Sequence, residues 1–156
     1  MPHETHLLWG TYTWILLHWM TSQIQEKNFS GERKHMIDLI KDICANLPCP
    51  NCREHAGQYL KKVPIEHCQT KEELLSYIYN FHNSVNMRGK KEYQPFSIME
   101  KYKTVNIKMM IDAWNTHFVY GNDIQRHDFM GKKRIATMKR KVNQYLLLNS
   151  HKFLTS

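Results

Sequence analysis

The chain has 156 residues and a formal net charge of +8, the size of one domain that can bury its own core without staples. Four cysteines are too few for a disulfide-dense scaffold, and 42% hydrophobic with 23% charged residues is globular rather than disordered composition. No apolar run approaches the roughly 20 residues that span a bilayer, and Met1-Pro2-His3-Glu4 lacks the basic start and apolar core of a secretory signal, so a soluble protein with no membrane partner is expected.

Gly and Pro are sparse and the patterning is helical nearly throughout. Leu8, Tyr12, Ile15, Trp19 and Met20 follow the spacing of an amphipathic helix. Residues Asn28 to Gly31 read as the break after it, with Ser30 as the cap of a second helix striped by Met36, Ile37, Ile40 and Ile43. Pro48 ends that helix, because the residue before a proline is pushed out of the α region. A third helix starts at Cys49-Pro50-Asn51-Cys52, where Pro50 is tolerated in the first turn, and runs to about Pro64. Thr70 with Glu73 resembles a capping box for a fourth helix, which carries Leu74, Tyr77, Ile78, Phe81 and Val85 and stops near Gly89. A fifth helical pattern spans Ile98 to Phe118. Gly121 marks a junction before a sixth, in which Ile135, Met138, Val142 and Tyr145 form a seam for docking on the bundle or on another chain. The expected fold is all-α: a four-helix bundle with a fifth short helical segment and an additional basic C-terminal helix.

Charge is unevenly placed. Residues 1–119 carry 14 Lys/Arg against 12 Asp/Glu, and residues 120–156 carry 8 against 2. This divides the chain into a bundle, 1–119, and a basic extension, 120–156. Lys132, Lys133, Arg134, Lys139, Arg140 and Lys141 form either a solvated helix face or a patch for nucleic acid or an acidic partner.

Cys49-Pro50-Asn51-Cys52 has the most chemical content. At a helix N-terminus the free N–H groups and the dipole favour thiolate over thiol. Two sulfurs at this spacing can close a small disulfide ring and pass electrons in pairs. Zinc is the rival reading, but a structural site needs four ligands, and completing one here requires Cys68, His67 or Cys44. A thioredoxin-like domain needs strands, and the flanks are helical. Two further patches bear on the choice. Thr11, Trp14 and His18 share one face of the first helix, and Tyr79, His82 and Asn86 repeat that spacing on the fourth. Each reads either as aromatic core or as one wall of a planar ring system held inside a bundle.

Together these pieces resemble the Erv/ALR family of FAD-linked sulfhydryl oxidases. The matching motifs are Trp9-Gly10-x-x-x-Trp14-x-x-x-His18, Leu47-Pro48-Cys49-x-x-Cys52-x-x-His55, and His82-Asn83-x-Val85-Asn86 with Lys90-Lys91 beyond. They occur in order over residues 8 to 103, and the short form is most similar to members from large DNA viruses. The resemblance implies noncovalent FAD, a homodimer, and oxidation of two thiols by O2 to a disulfide and hydrogen peroxide. It implies Cys49 as the sulfur that takes electrons from a protein dithiol and Cys52 as the sulfur against the flavin. Thr11, Trp14, His18, His55, His82, Asn83, Val85, Asn86, Lys90 or Lys91, and Tyr102 would meet the cofactor; no metal site is implied. A viral member would work in the infected-cell cytoplasm, forming disulfides in virion proteins. Two family features have no counterpart here. Tyr79 and about Phe96 stand where many members have a structural disulfide, and no second, mobile C-x-x-C is present. Cys44 and Cys68 are left as idle thiols, a bridge, or, for Cys44, a relay.

Overall fold

The structure is a computed structural model that describes residues 2–119 and 129–154, with side chains from residue 8 onward. The junction expected at Gly121 lies outside these residues. Six α-helices are described: α1 (Pro2–Gln23), α2 (Glu26–Ala45), α3 (Pro50–Lys62), α4 (Lys71–Arg88), α5 (Ile107–His117) and α6 (Phe129–Asn149). A 3-10 helix, Phe96–Thr104, lies between α4 and α5. The all-α class follows the sequence reading, and no described helix is long and apolar enough to cross a membrane.

α1 is central. Residues Leu16 to Ile24 are all buried, because α4, α5 and the 3-10 helix pack around it. A helix enclosed on several sides needs apolar residues all round rather than one stripe. α2 buries the expected Met36, Ile37, Ile40 and Ile43.

The first break falls earlier than the sequence indicates. Ser30 and Gly31 lie exposed inside α2, which begins at Glu26 without a side-chain cap. The chain turns at Ile24-Gln25 instead, where it pairs with the C-terminus. The Gln25 N–H donates to the Lys152 carbonyl at 2.9 Å, and the Leu154 N–H to the Gln23 carbonyl at 2.6 Å. Long-range backbone pairing therefore sets this break. Gly31 costs the helix only about 1 kcal/mol relative to alanine.

Two other boundaries shift. The pattern from Ile98 to Phe118 divides at Val105-Asn106, because Asn106 Oδ1 accepts from the Met109 N–H at 3.1 Å and caps α5. At the end of α4, Gly89 has φ −80°, and the left-handed residue is Lys90 at φ 58°. The Lys90 N–H reaches the Met87 carbonyl and the Lys91 N–H the Asn86 carbonyl, a Schellman motif with lysine at the position usually given to glycine.

The sixth pattern docks on the bundle. Ile135, Met138, Val142 and Tyr145 are buried in the same apolar cluster as α1 and α2. Tyr145 donates to the buried Glu32 carboxylate at 2.9 Å, and Lys152 bonds its other oxygen. Lys139 leaves the exposed basic face: its ammonium donates to the Asn115 and Phe118 carbonyls at 2.8 and 2.7 Å. Lys141 lies 3.6 Å from Asp42.

Candidate active site: a thiol pair on an aromatic cavity

α3 begins as the sequence requires. Pro50 occupies the first turn, and the Cys49 side chain caps it, with Sγ accepting from the Cys52 N–H at 3.3 Å. Arg53 fixes the preceding turn by donating to the Leu47 carbonyl at 2.6 Å. The helix N-terminus thus acts on Cys49. At Cys52 burial first, then the bond and charge of Cys49, push the thiol up to about 12, against the thiolate that a helix N-terminus favours.

Cys52 lines a cavity of about 560 Å³ whose walls come from α1, α2, α3, α4 and the 3-10 helix. Thr11, Trp14, His55, His82, Val85, Asn86, Lys91 and Tyr102 line it too. A second cavity, of about 270 Å³, shares His82, Asn86, Lys101 and Tyr102 with the first and adds His18, Asn83 and Tyr79. Of the cysteine pair and the cofactor residues that the resemblance implies, the structure therefore brings together all except two. Cys49 stands outside both cavities on the N-terminal cap of α3, and Lys90 faces neither, because the left-handed turn directs Lys91 inward instead.

Inside, two stacked pairs are joined by a hydrogen bond. Trp14 stacks on His82 with centroids 4.2 Å apart and planes 8° off parallel. His18 stacks on Tyr102 at 4.4 Å and 14°, and His18 Nε2 lies 2.9 Å from His82 Nδ1. Burial, then the neighbouring His82 and Lys101, push the His18 pKa down to about 3. Burial, Lys101 and Lys91 push His82 to about 4. Both rings are neutral at pH 7, and one N–H is shared between them. His18 Nδ1 is buried with no partner in the protein, a polar atom for which a ligand would supply the missing bond.

The sequence did not mark Arg88, Lys101 or Cys44 as lining residues. Arg88 and Lys101 line the larger cavity beside Lys91, and none of its lining residues is Asp or Glu. Arg88 lies three residues beyond Val85, so helical spacing was the available signal. Cys44 is also in the wall, and burial pushes its thiol up to about 12. It forms no bridge: all four cysteines are free, and Cys68 donates to the Glu73 carbonyl at 3.6 Å. Among the described residues no three His, Cys, Asp or Glu side chains gather as a metal site, so the zinc alternative gains no support.

A planar aromatic wall, an unpartnered ring nitrogen, an all-cationic set of charges and a thiol fit a dinucleotide with a planar redox ring. The volume lies within the roughly 300–1,000 Å³ of ligand pockets. The Erv1/Alr family model matches residues 11–108, well over half the chain. The chain belongs to the Erv1/Alr family. It is 29% identical over 98 residues to protein 096R of Invertebrate iridescent virus 3, covering 62% of this chain and 66% of that protein. The FAD-linked sulfhydryl oxidase of African swine fever virus is 29% identical over 113 residues, covering 72% of this chain and 94% of its own. The FAD-linked sulfhydryl oxidase ERV1 of Arabidopsis thaliana is 29% identical over 77 residues, covering 49% and 40%. No solved structure matches the chain. The family match ends at residue 108, so α6 and nearly all of α5 lie outside it.

Proposed function

We infer that the protein is an FAD-linked sulfhydryl oxidase, converting two thiols and O2 to a disulfide and H2O2. The observation that carries this reading is the division of the C-x-x-C pair: Cys52 is in the cavity wall and Cys49 is outside it. FAD, when bound, supplies the two-electron acceptor and the reaction with oxygen.

The chain's own residues do the rest. In the oxidised pair, a substrate thiolate attacks Cys49 Sγ, the sulfur outside the cavity, forming a mixed disulfide and displacing Cys52 as thiolate. The second substrate thiol, as thiolate, then attacks its partner sulfur, releasing the substrate disulfide and Cys49. One electron pair has moved from the substrate to the Cys49–Cys52 dithiol. The helix N-terminus, through the Cys52 N–H on Cys49 Sγ, stabilises charge on the departing Cys49. Trp14 and Tyr102 supply stacking faces, His18 Nδ1 an unpartnered ring nitrogen, and Arg88, Lys91 and Lys101 cations for a pyrophosphate. Thr11, His55, Val85 and Asn86 complete the wall.

The substrates proposed are protein dithiols and molecular oxygen, and a second copy of the chain is the proposed partner. Residues 1–119 are proposed to carry the oxidase and 120–156 to form the basic extension, whose exposed Lys132, Lys133 and Arg140 are the residues open to a nucleic acid. The proposed place of work is the infected-cell cytoplasm, where host thiols are kept reduced, on proteins destined for virions.

The test is the visible spectrum of the purified protein and its oxygen uptake with dithiothreitol. Flavin bands and thiol-driven uptake are expected, and Cys52→Ser should abolish uptake while leaving FAD bound. A colourless protein that takes up no added FAD would end the reading; turnover retained in Cys52→Ser would overturn the role given to that sulfur.

A further inference from the structure

Residues 91–102 form a strap that carries Lys91, Lys101 and Tyr102 to the cavity. Gln94 is where its backbone is tied to α4. Asn83 Nδ2 donates to the Gln94 carbonyl at 3.0 Å, and the Gln94 N–H donates back to Asn83 Oδ1 at 2.9 Å. The Tyr79 hydroxyl donates to the same carbonyl at 2.6 Å. An amide side chain presenting N–H and C=O together copies a peptide group, so one residue satisfies both backbone groups of Gln94. Asn83 is 3% exposed and Tyr79 is 9% exposed, so both gripping side chains are buried.

The placement on α4 is systematic. Tyr79 and Asn83 are four apart and form one stripe; His82 and Asn86 are four apart and form the adjacent stripe. The first grips the strap and borders only the smaller cavity, and the second lines both cavities. The Tyr79 ring continues the grip by meeting Phe96 edge-on, with centroids 5.1 Å apart and planes at 80°.

We propose that Asn83 is a positioning residue whose amide clasps the Gln94 peptide and sets the closure of the strap over the cavity, with Tyr79 as the second jaw. Asn83 then acts on cofactor affinity through Lys91, Lys101 and Tyr102 and not by contact of its own. The link to cofactor affinity rests on the flavin reading of the cavity; the clasp itself does not.

Hydrogen–deuterium exchange and FAD titration on full-length Asn83→Asp, Asn83→Ala and Tyr79→Phe test this. Aspartate keeps the shape and the acceptor but loses the N–H. Exchange over residues 91–102 is expected to quicken about tenfold in both Asn83 variants, with or without flavin, as befits the loss of one or two part-buried hydrogen bonds. The FAD dissociation constant should rise by a similar factor, with Tyr79→Phe moving both in the same direction by less. Weakened FAD binding with unchanged exchange over 91–102 would place Asn83 on the cofactor and overturn the proposal, as would faster exchange with unchanged affinity. Should the Asn83 variants fail to fold, Tyr79→Phe carries the same two outcomes. A wild type that takes up no FAD but keeps slow, Asn83-dependent exchange would sink the flavin reading and leave the clasp standing.

Discussion

Lys139→Met removes a cation that α6 places on the C-terminus of α5. The Lys139 ammonium donates to the Asn115 and Phe118 carbonyls at 2.8 and 2.7 Å, and the Phe118 side chain is fully buried. A hydrogen bond to a charged group contributes about 1.5–3 kcal/mol, and a cation at a helix C-terminus about 0.3–1 kcal/mol. Desolvation of the half-buried ammonium offsets part of this, so we take the net loss as about 2–3 kcal/mol. Methionine retains the apolar stem, which separates the charge from packing. In a chain of this length each kcal/mol moves the melting temperature by roughly 2–4 °C, so the variant should melt about 4–12 °C lower. Lys139→Arg, which keeps a cation and its donors, should recover part of the difference. Urea unfolding at saturating FAD checks the free energy directly. A loss under about 0.5 kcal/mol, the range of inert surface substitutions, would refute the reasoning and return Lys139 to the solvated face.

Two further outcomes follow from the buried groups. His18 and His82 titrate at about 3 and about 4 in the fold against 6.5 when free, so the unfolded chain binds more protons below 6.5. Their contribution to stability is complete above pH 6.5 and is lost as pH falls toward 4; melting temperatures across that range should fall, and less steeply in His82→Gln. A flat profile would mean that the pair is not held neutral. Cys44, buried with its thiol pushed up to about 12, should resist iodoacetamide at pH 7.5 until the protein is unfolded, because the thiolate is the nucleophile. Peptide mass spectrometry showing Cys44 labelled as fast as Cys49 would contradict its burial.

What was legible in the sequence was local. Cys49-Pro50 announces a helix start because proline needs no N–H partner there, and Thr70 caps α4 through its bond from the Glu73 N–H. The stripe Ile135, Met138, Val142 and Tyr145 marks a buried face whatever covers it. What was not legible depends on partners distant in the chain. The turn at Gln25 is set by Lys152, the shared proton of His18 by a ring 64 residues away, and the withdrawal of Lys139 from the basic face by the end of α5. Lys101 could not be read as a wall residue because a long basic side chain takes its direction from tertiary surroundings.

The tie between α4 and the strap illustrates how a missing covalent link can be replaced. The family resemblance implies a disulfide at positions held here by Tyr79 and Phe96, and a bridge closing a loop of about 15 residues contributes about 3 kcal/mol. In this chain the same two residues form an edge-on ring pair, which adds about 1 kcal/mol beyond its buried area. The three hydrogen bonds between the Tyr79 and Asn83 side chains and the Gln94 backbone contribute about 1 kcal/mol each. The noncovalent tie therefore matches the disulfide in magnitude while differing in kind. A bridge constrains the unfolded chain, and its persistence depends on its reduction potential against that of the surroundings. The ring pair and the amide clasp act only in the fold and carry no redox dependence, so a reducing medium leaves this tie intact. No cysteine takes part in the tie, so it is independent of any change of state in the Cys49–Cys52 pair.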